Sequence, residues 1–566
     1  MKKRLPALLL AVLLLCGALS GCGAIDALED RLDNPSTSVP YPENVSHSDA
    51  LTQELYFYSS WRADTHYEDM SCYVDLDYFR SLGDELLSIA SADPDQGDFD
   101  DAVFYFIDEY YYIRTALELA DLKYYRDPSD AEALAALDDA YAANSEADGI
   151  FWDVMHQTAL TDSYDFLAEY CGEAQAEIFA AYEPNAQADS TLYDRENALV
   201  NEYYSLYASP DADVEAMMEV FVELVNVRRE IAAAEGYDSY ADYAYYNTYS
   251  RDYLPEDVQA VWSAVKEYFV PLILENSETL NLNYGDILDS GLESSAEDTL
   301  AALGTIAHGL SPEAAEAYDY MVEYGLCDNE ELPTKTGTSF TTTLYWYNEP
   351  FIFLAPTGDC YDYTSLIHEF GHFLNSYAIP SDMVFGSPDF EVCEMQSIGM
   401  QLMATHWYEE LFGADTAHML ELETFYDIIT NVIDGAMYDE FLQRTYAEEN
   451  LTAERACEIY AELYEEYGYT PYEGSMYDWV YVPHNFDSPF YYISYCLATI
   501  PVLELYSELQ SSPESAADTY MRLVATDPEI YYCSEVVADL SLPDPLSPSS
   551  YSSAADTIAE AIAQLS

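Results

Sequence analysis

The hydrophobic residues of this chain recur at three- and four-residue intervals over most of its length, which is the spacing of amphipathic α-helices. Strand signals are sparse, and no repeat of a solenoid type interrupts the pattern. The chain is therefore predicted to be mainly α. The predicted helices cover residues 101–125, 131–143, 151–182, 196–207, 213–235, 255–275, 388–412 and 553–565.

One stretch has a different pattern. Residues 339–346 and 351–354 are rich in β-branched and aromatic side chains and are separated by turn residues, which predicts a small sheet. A helix beginning near Asp362 or Tyr363 follows it. We expect strand 351–354 to have an exposed edge, to which an extended peptide adds through backbone hydrogen bonds.

The N-terminus has the pattern of an export signal. Lys2, Lys3 and Arg4 precede an apolar run over residues 5–15, which is too short for a good transmembrane helix. The run ends in Leu19-Ser20-Gly21-Cys22, which resembles the lipobox of bacterial lipoproteins, where the cysteine is acylated. An ordinary secretory signal cut between residues 18 and 23 is the alternative.

The lipobox resemblance predicts a signal peptide over residues 1–21 and a lipid-anchored tether over 22–50. A helical N-terminal region is expected over 51–190. The protein would then be extracytoplasmic and held to the bacterial cell membrane through Cys22. The other cysteines apart from Cys16 are scattered singly, without a CxxC pair, so neither a structural zinc site nor a disulfide framework is indicated.

Composition narrows the class of function. The chain has 566 residues and a formal net charge of -88, which excludes nucleic acid as an expected partner. Half of the residues are hydrophobic and 56 are tyrosines, so a folded protein with a large core is expected despite the charge. The acidity either attracts basic peptides or suits the surroundings of the protein, and composition does not separate these interpretations.

The sequence His368-Glu369-Phe370-Gly371-His372 is a metal-binding pattern. Residues four apart lie on one face of a helix, so both imidazoles can bind one metal ion, with Glu369 placed to accept a proton from the attacking water. A third protein ligand would leave one position open for water or substrate. Glu391 and Glu394 both lie at a suitable distance along the sequence to be this third ligand, and their spacing does not distinguish between them.

The residues around Glu394 carry a family resemblance. Cys393-Glu394-Met395-Gln396-Ser397-Ile398-Gly399-Met400-Gln401 resembles C-E-I-H-S-M-S-M-E of the thimet oligopeptidase and oligoendopeptidase F family of zinc peptidases, particularly its oligoendopeptidase branch. The resemblance implies that Glu394 completes the zinc ligands with His368 and His372. Gln396 and Gln401 depart from the family's His and Glu.

A second resemblance lies at His484-Asn485-Phe486-Asp487-Ser488-Pro489-Phe490-Tyr491-Tyr492-Ile493-Ser494-Tyr495, which is similar to the family's H-x-F-x-x-P-F-Y-Y-I-D-Y. It implies catalytic roles for His484, Tyr491 and Tyr495 in stabilising the oxyanion, with Tyr492 in reserve. Ser494 replaces the family's Asp. Shorter matches occur at residues 350–353 and 227–243.

These matches span about Tyr193 to the C-terminus, and we interpret residues 191–566 as the zinc peptidase catalytic domain. The resemblance implies a large helical ellipsoid with a deep substrate channel and a small β-sheet next to the HExxH helix. It also implies one zinc ion and hydrolysis of internal bonds in short peptides, with Glu369 as the base. The alternatives are a peptide-binding lipoprotein of an import system and a zinc aminopeptidase that uses Glu391.

Overall fold

The computed structural model describes residues 65–92, 94–182, 190–207, 213–289, 292, 294–335, 339–379 and 388–565. The predicted signal peptide, the lipid site at Cys22 and the tether lie outside the described residues. Within these ranges, no helix is both long enough and apolar enough to cross a membrane.

The first three N-terminal helices begin at aspartate caps, because the carboxylates of Asp75, Asp95 and Asp130 accept backbone N–H groups of the first turn. The helices are α1 (Leu76–Ala90), α2 (Gln96–Arg126), α3 (Ala131–Ala159), α4 (Tyr164–Cys171) and α5 (Glu173–Ala181).

Two predicted boundaries in this region are wrong. Helix α3 continues past residue 143 because Asn144 and Ala147 are buried in the packing of the helix, with Asn144 donating to Asp148. The predicted helix over 151–182 is instead broken twice. It ends at a turn after Ala159, and it breaks again at Gly172, whose φ of 88° lies outside the helical region.

The middle of the chain continues as helices that lead to the sheet. The helix predicted at Pro255 begins four residues later, because residues 255–258 form turns. The elements are α6 (Ser190–Tyr207), α7 (Val214–Ala234), α8 (Tyr240–Tyr243), a π-helical turn (Ala244–Thr248), α9 (Gln259–Ala264), a second π-helical turn (Val265–Phe269), α10 (Val270–Asp289), α11 (Ala296–Leu310) and α12 (Pro312–Tyr324).

The small sheet has three strands, β1 (Cys327–Asp328), β2 (Phe340–Leu344) and β3 (Glu349–Phe353), in the order β1-β3-β2. Strand β3 pairs parallel with β1 and antiparallel with β2, in the register Thr342 opposite Phe351. The prediction that strand 351–354 is an exposed edge is wrong, since β3 is central and all of its residues are buried. Among the described strands, β2 is the edge of the sheet on the side away from β1.

The C-terminal half is helical, with the HExxH motif on its first helix. The elements are α13 (Tyr361–Ala378), α14 (Phe390–Ala404), a 3-10 turn (Thr405–Trp407), α15 (Tyr408–Phe412), α16 (Ala414–Ala447), α17 (Ala453–Glu466), 3-10 turns at Ser475–Tyr481 and Pro483–Asn485, α18 (Ile493–Ser511), α19 (Pro513–Val524), α20 (Cys533–Leu540) and α21 (Pro548–Leu565). Helix α13 packs on β2 and β3. The prediction of a mainly helical protein with a small sheet beside the motif helix is confirmed, while the channel stays a prediction.

Two main hydrophobic clusters stabilise the fold. One lies among α1–α5 and contains stacked rings such as Phe79 on Phe106, with centroids 4.7 Å apart. The larger cluster extends from Met70 to Ile562 and includes the buried faces of α13, α14, α16 and α18. The motif helix therefore lies in the larger core, where packing fixes its position.

Tyrosine hydroxyl groups satisfy many of the buried carboxylates. Only 18 lysines and arginines accompany 106 acidic residues, so cationic partners are scarce. Neutral O–H donors replace them and spare each carboxylate the cost of an unmade hydrogen bond. Such pairs include Tyr110–Asp148, Tyr141–Asp121, Tyr245–Asp439, Tyr320–Glu349, Tyr361–Glu423 and Tyr506–Glu421.

The carboxylates of α16 lead to a pH prediction. Burial raises the pKa of Asp427 to about 7 and the pKa values of Asp434 and Asp439 to about 6. Between about pH 4 and 7 these carboxyl groups bind more protons in the folded state than in the unfolded chain. Protonation therefore favours the folded state, and the free energy of unfolding decreases as the pH rises through that range. We expect the melting temperature of the metal-free protein to increase by a few degrees between pH 8 and pH 5.5, measured by calorimetry in chelator.

The matched variant is Asp427→Asn, because an amide does not titrate. Its melting temperature should change less steeply with pH than that of the wild type. A wild-type melting temperature that is flat, or that falls on acidification over this range, would contradict the assignment.

Candidate metal centre and active site

Helix α13 presents both histidines of the motif on one face. Their ring centroids are 5.1 Å apart, as expected for positions one helical turn apart. Burial lowers the pKa of His372, although the nearby Glu394 opposes this. His372 is therefore neutral at neutral pH, and a lone pair is available for a metal.

Helix α14 supplies the third group. One ligand atom each of His368, His372 and Glu394 lies within 4.8 Å of the others. The His368 Nε2 to Glu394 Oε2 distance is 3.6 Å. A tetrahedral zinc site with bonds near 2.0 Å has ligand atoms roughly 3.3 Å apart, so the three side chains fit a zinc ion after small rotations. The donor set of two nitrogens and one carboxylate oxygen is also one that zinc accepts.

Gly371 allows the two helices to come this close. A Cβ atom at this position would lie 2.6 Å from Ser397 Cα and 2.7 Å from Gln396 O, both of which are backbone atoms of α14. The glycine between the two histidines is therefore required by helix packing. It brings Glu394 within reach of the motif.

Gln401 orients the first histidine. Its Oε1 accepts a hydrogen bond from His368 Nδ1 at 3.0 Å, which leaves the Nε2 lone pair directed at the metal position. Gln396 has a different use, since its Nε2 donates to the carbonyl oxygens of Leu523 and Thr526. The two departures from the family pattern thus have distinct structural environments, and only Gln401 contacts a candidate ligand.

Strand β2 holds the proposed base. The Thr341 hydroxyl lies 2.7 Å from Glu369 Oε2 and 3.0 Å from the Glu369 carbonyl oxygen. Glu369 is 7% exposed, and this contact restrains its carboxylate next to the histidines. Sequence analysis did not identify Thr341, which looks like an ordinary strand residue in a run of three threonines.

The segment from His484 to Tyr495 lies against Glu394. Tyr491 donates its hydroxyl to Glu394 Oε1 at 2.8 Å, and the ring of His484 stacks on Tyr491 with centroids 5.5 Å apart. Tyr495 packs edge-on against Tyr491 at 5.3 Å. The structure therefore brings these three predicted residues to the histidine pair. The ring of Tyr492 packs edge-on against the ring of His484, with centroids 5.1 Å apart.

The protonation states of this segment suit hydrogen-bond donation. Burial, and then the charge of Glu394, hold the pKa values of Tyr491 and Tyr495 well above their usual range, so both hydroxyls keep their protons. Burial lowers the pKa of His484, which is therefore neutral at neutral pH. Within the described residues, its Nδ1 is buried without a hydrogen-bond partner.

Glu391 does not join the histidines. Its carboxylate is fully buried in an ion pair with Arg251, 3.0 Å from the guanidinium Nε, and it also accepts from Tyr253 and Ser494. Glu391, the alternative third ligand from the sequence, is thus bound to Arg251 and does not face the metal position. Arg251 was not identified from the sequence, because it lies 140 positions before its partner.

No protein-family model matches the chain, and a comparison with curated proteins finds no match. Solved structures do match, and each of the three described next covers 88% of this chain. A PZ peptidase A with an inhibitor has a TM-score of 0.72 at 20% identity and is 99% covered. A candidate oligoendopeptidase F has a TM-score of 0.72 at 22% identity and is 99% covered. A candidate oligoendopeptidase F from Bacillus anthracis str. Ames has 0.71 at 20% identity and is 98% covered.

This chain has the fold of these peptidases. The identities are low, so the similarity concerns the course of the backbone along almost the whole of the compared proteins.

Replacing a helical glycine with alanine usually stabilises a protein, but the packing at Gly371 predicts that this substitution is destabilising there. Gly371→Ala should lower the melting temperature, because its Cβ meets the backbone of α14 and overpacking costs about 1–3 kcal/mol. Gly149→Ala in α3 is the control, since in the described part of the chain no atom outside the adjoining helix backbone lies within 4 Å of a Cβ there. An alanine in a helix gains about 1 kcal/mol over glycine, so the control should be more stable than wild type. Equal stabilisation in both variants would contradict the close approach of α13 and α14.

Proposed function

We propose that this protein is a zinc-dependent oligoendopeptidase that hydrolyses internal bonds of short peptides. The observation that carries the proposal is the meeting of His368, His372 and Glu394 around one point, with Glu369 beside them. The peptidase fold of the compared structures supports it.

Each residue of the site has a role in this proposal. The two histidines and Glu394 hold one zinc ion, and Gln401 keeps His368 in the tautomer that binds it. The chemistry that bound zinc supplies is polarisation of the peptide carbonyl and activation of a water molecule. Glu369 accepts the water proton and passes it to the leaving amine, while Thr341 keeps its carboxylate in position.

The hydroxyl and imidazole groups of the second segment stabilise the developing negative charge. Tyr495 and His484 are the donors in this proposal, because the hydroxyl of Tyr491 is already directed at Glu394. The role of Tyr491 is then to hold the orientation of the Glu394 carboxylate, which is the third ligand. Tyr491 reaches the substrate only if that hydrogen bond is exchanged.

The substrate would be an extended peptide alongside β2. This strand is one of the two edges of the described sheet, and its Thr341 lies at the proposed base, so a peptide paired with β2 would pass the metal position. Backbone pairing does not depend on side-chain identity. Broad specificity for short, unstructured peptides follows from this mode of binding.

We also propose that the reaction takes place outside the cell, on a protein anchored by lipid at Cys22. The basic residues, the apolar run and the Leu19-Ser20-Gly21-Cys22 pattern support this location. A peptide-binding lipoprotein of an import system would share these features. It would not require a general base next to three metal ligands, and the enzyme is therefore favoured.

The decisive experiment is the cleavage of internally quenched peptides, with the products mapped by mass spectrometry with and without a chelator. The wild type should contain one zinc ion per chain and cut internal bonds. Glu369→Gln should keep its zinc and lose roughly 10²–10⁴-fold in kcat, because the base is removed without a ligand. Glu410→Gln, at an exposed position on α15, is the matched control and should match the wild type. A wild type without zinc, or one unaffected by chelator, would refute the proposal.

The third ligand is tested by two matched glutamates. Glu394→Gln should fold and bind zinc far below one equivalent. Glu391→Gln should retain one zinc per folded molecule and lose stability, since breaking a buried ion pair costs about 3–5 kcal/mol. Metal analysis and thermal melting are measured on both proteins. Zinc loss confined to Glu391→Gln would reverse the assignment and favour the aminopeptidase reading.

A further inference from the structure

The candidate site is assembled from two parts that are far apart in the sequence. Helix α14 contributes Glu394, and the segment before and within the start of α18 contributes Tyr491 and Tyr495. The Tyr491 hydroxyl touches Glu394, so its position depends on how this segment is held against α14. A single buried side chain, Arg251, binds both parts.

The guanidinium of Arg251 makes bonds to each side. Its Nε donates to Glu391 Oε1 at 3.0 Å, one helical turn before Glu394 on α14. Its Nη2 donates to the carbonyl oxygen of Phe490 at 3.0 Å and to Ser494 Oγ at 2.9 Å. These two acceptors lie on either side of Tyr491 in the sequence. Arg251 therefore fixes the backbone around Tyr491 relative to the helix that carries Glu394.

Glu391 completes the connection. Its Oε1 also accepts from Tyr253 at 2.6 Å and from Ser494 at 2.9 Å. Burial alone would raise the pKa of Glu391, but Arg251 and these donors lower it overall, so the carboxylate is ionised. Both charged side chains are 0% exposed, and a buried pair of this kind is rigid because every displacement loses charged hydrogen bonds.

Aromatic rings enclose the guanidinium. Its central carbon lies 4.4 Å from the ring centroid of Tyr245, 4.5 Å from that of Tyr249 and 5.6 Å from that of Tyr253. Tyr249 also donates its hydroxyl to the carbonyl oxygen of Pro489 at 3.0 Å. The short region from residue 245 to 253 thus binds the loop at consecutive positions before Tyr491.

Phe490 shows that the loop conformation is imposed. Its φ of 73° lies in the left-handed region, which a bulky residue adopts only where its surroundings require it. The ring is fully buried against Tyr245 and Tyr446, with centroids 5.9 and 5.3 Å away, and its carbonyl oxygen is held by Arg251. This backbone conformation sets the direction in which the next residue, Tyr491, leaves the chain.

We propose that Arg251 is a positioning residue for the reaction, which sets the Tyr491 hydroxyl against Glu394 through its bonds to Phe490, Ser494 and Glu391. This inference rests on the proposed peptidase function. Ser494 stands where the resembling motif has Asp, and it belongs to the same hydrogen-bond network. Its hydroxyl accepts from Arg251 and donates to Glu391, so the Glu391 carboxylate is bound both to Arg251 and to the start of α18.

A double-mutant cycle tests this role, with Arg251→Lys, Tyr491→Phe and the double variant. A lysine keeps the charge but cannot make the three directed bonds. We expect Arg251→Lys to retain one zinc ion and a KM within about threefold of wild type, and to lose on the order of 10²-fold in kcat, the size expected for misplacement by about 1 Å. In the Tyr491→Phe background the same substitution should lower kcat by less than about threefold, since residues that act as a unit are not additive.

The control is Arg229→Lys. Arg229 also donates to several carbonyl oxygens, those of Thr445, Tyr446 and Glu448 at the C-terminal end of α16, and within the described ranges its hydrogen bonds reach no residue of the site. It should lower the melting temperature and leave kcat unchanged. Ser494→Ala, which removes only the bridging hydroxyl, replaces Arg251→Lys in the cycle if the lysine variant does not fold.

The outcomes separate this inference from the function on which it rests. A wild type that shows no chelator-sensitive cleavage refutes the proposed function. An active wild type in which Arg251→Lys and Tyr491→Phe lower kcat additively, or in which Arg251→Lys acts only on zinc content, refutes the positioning role and leaves the peptidase intact.

Discussion

The candidate site depends on the close packing of α13 on α14 at Gly371. A metal centre of this type needs two nitrogen donors from one helix and a carboxylate from another within a few ångströms, and an ordinary interaxial distance of 8–10 Å would leave a long gap for a glutamate to cross. The missing Cβ removes the obstacle. Glu394 then lies near Nε2 of His368, and Gln401 on the same helix accepts a hydrogen bond from Nδ1, the other nitrogen of that imidazole.

The parts of the site that could be predicted are those whose geometry is local. His368 and His372 share a face because a helix has a fixed period, and Glu394 could be chosen over Glu391 only through its neighbouring residues. Thr341 and Arg251 could not be predicted. Their contacts join positions 28 and 140 residues apart, and nothing in their immediate sequence distinguishes a hydroxyl or a guanidinium that meets a carboxylate after folding.

In the fold, too, local features could be predicted from the sequence and long-range pairing could not. Helical periodicity identified many of the helices, because burial of one face leaves a repeating pattern, and the β-branched and aromatic runs identified β2 and β3. The boundaries failed where tertiary burial overrode local preference, as at Asn144 inside α3. The order of strands also failed, since the buried residues of β3 look the same from sequence whether the strand lies at an edge or in the centre. Strand order depends on which segments pair, and pairing is a property of the whole chain.

The tyrosine–carboxylate pairs have a consequence for the conditions in which this protein works. In most proteins buried acids are matched by lysine or arginine, and dissolved ions weaken such attractions near the surface. Here many of the donors are uncharged hydroxyls of buried tyrosines, which dissolved ions screen little. The charge left for salt to screen is mainly the mutual repulsion of surface carboxylates. Increasing ionic strength therefore relieves repulsion while leaving the internal bonds intact, so this architecture is suited to saline surroundings.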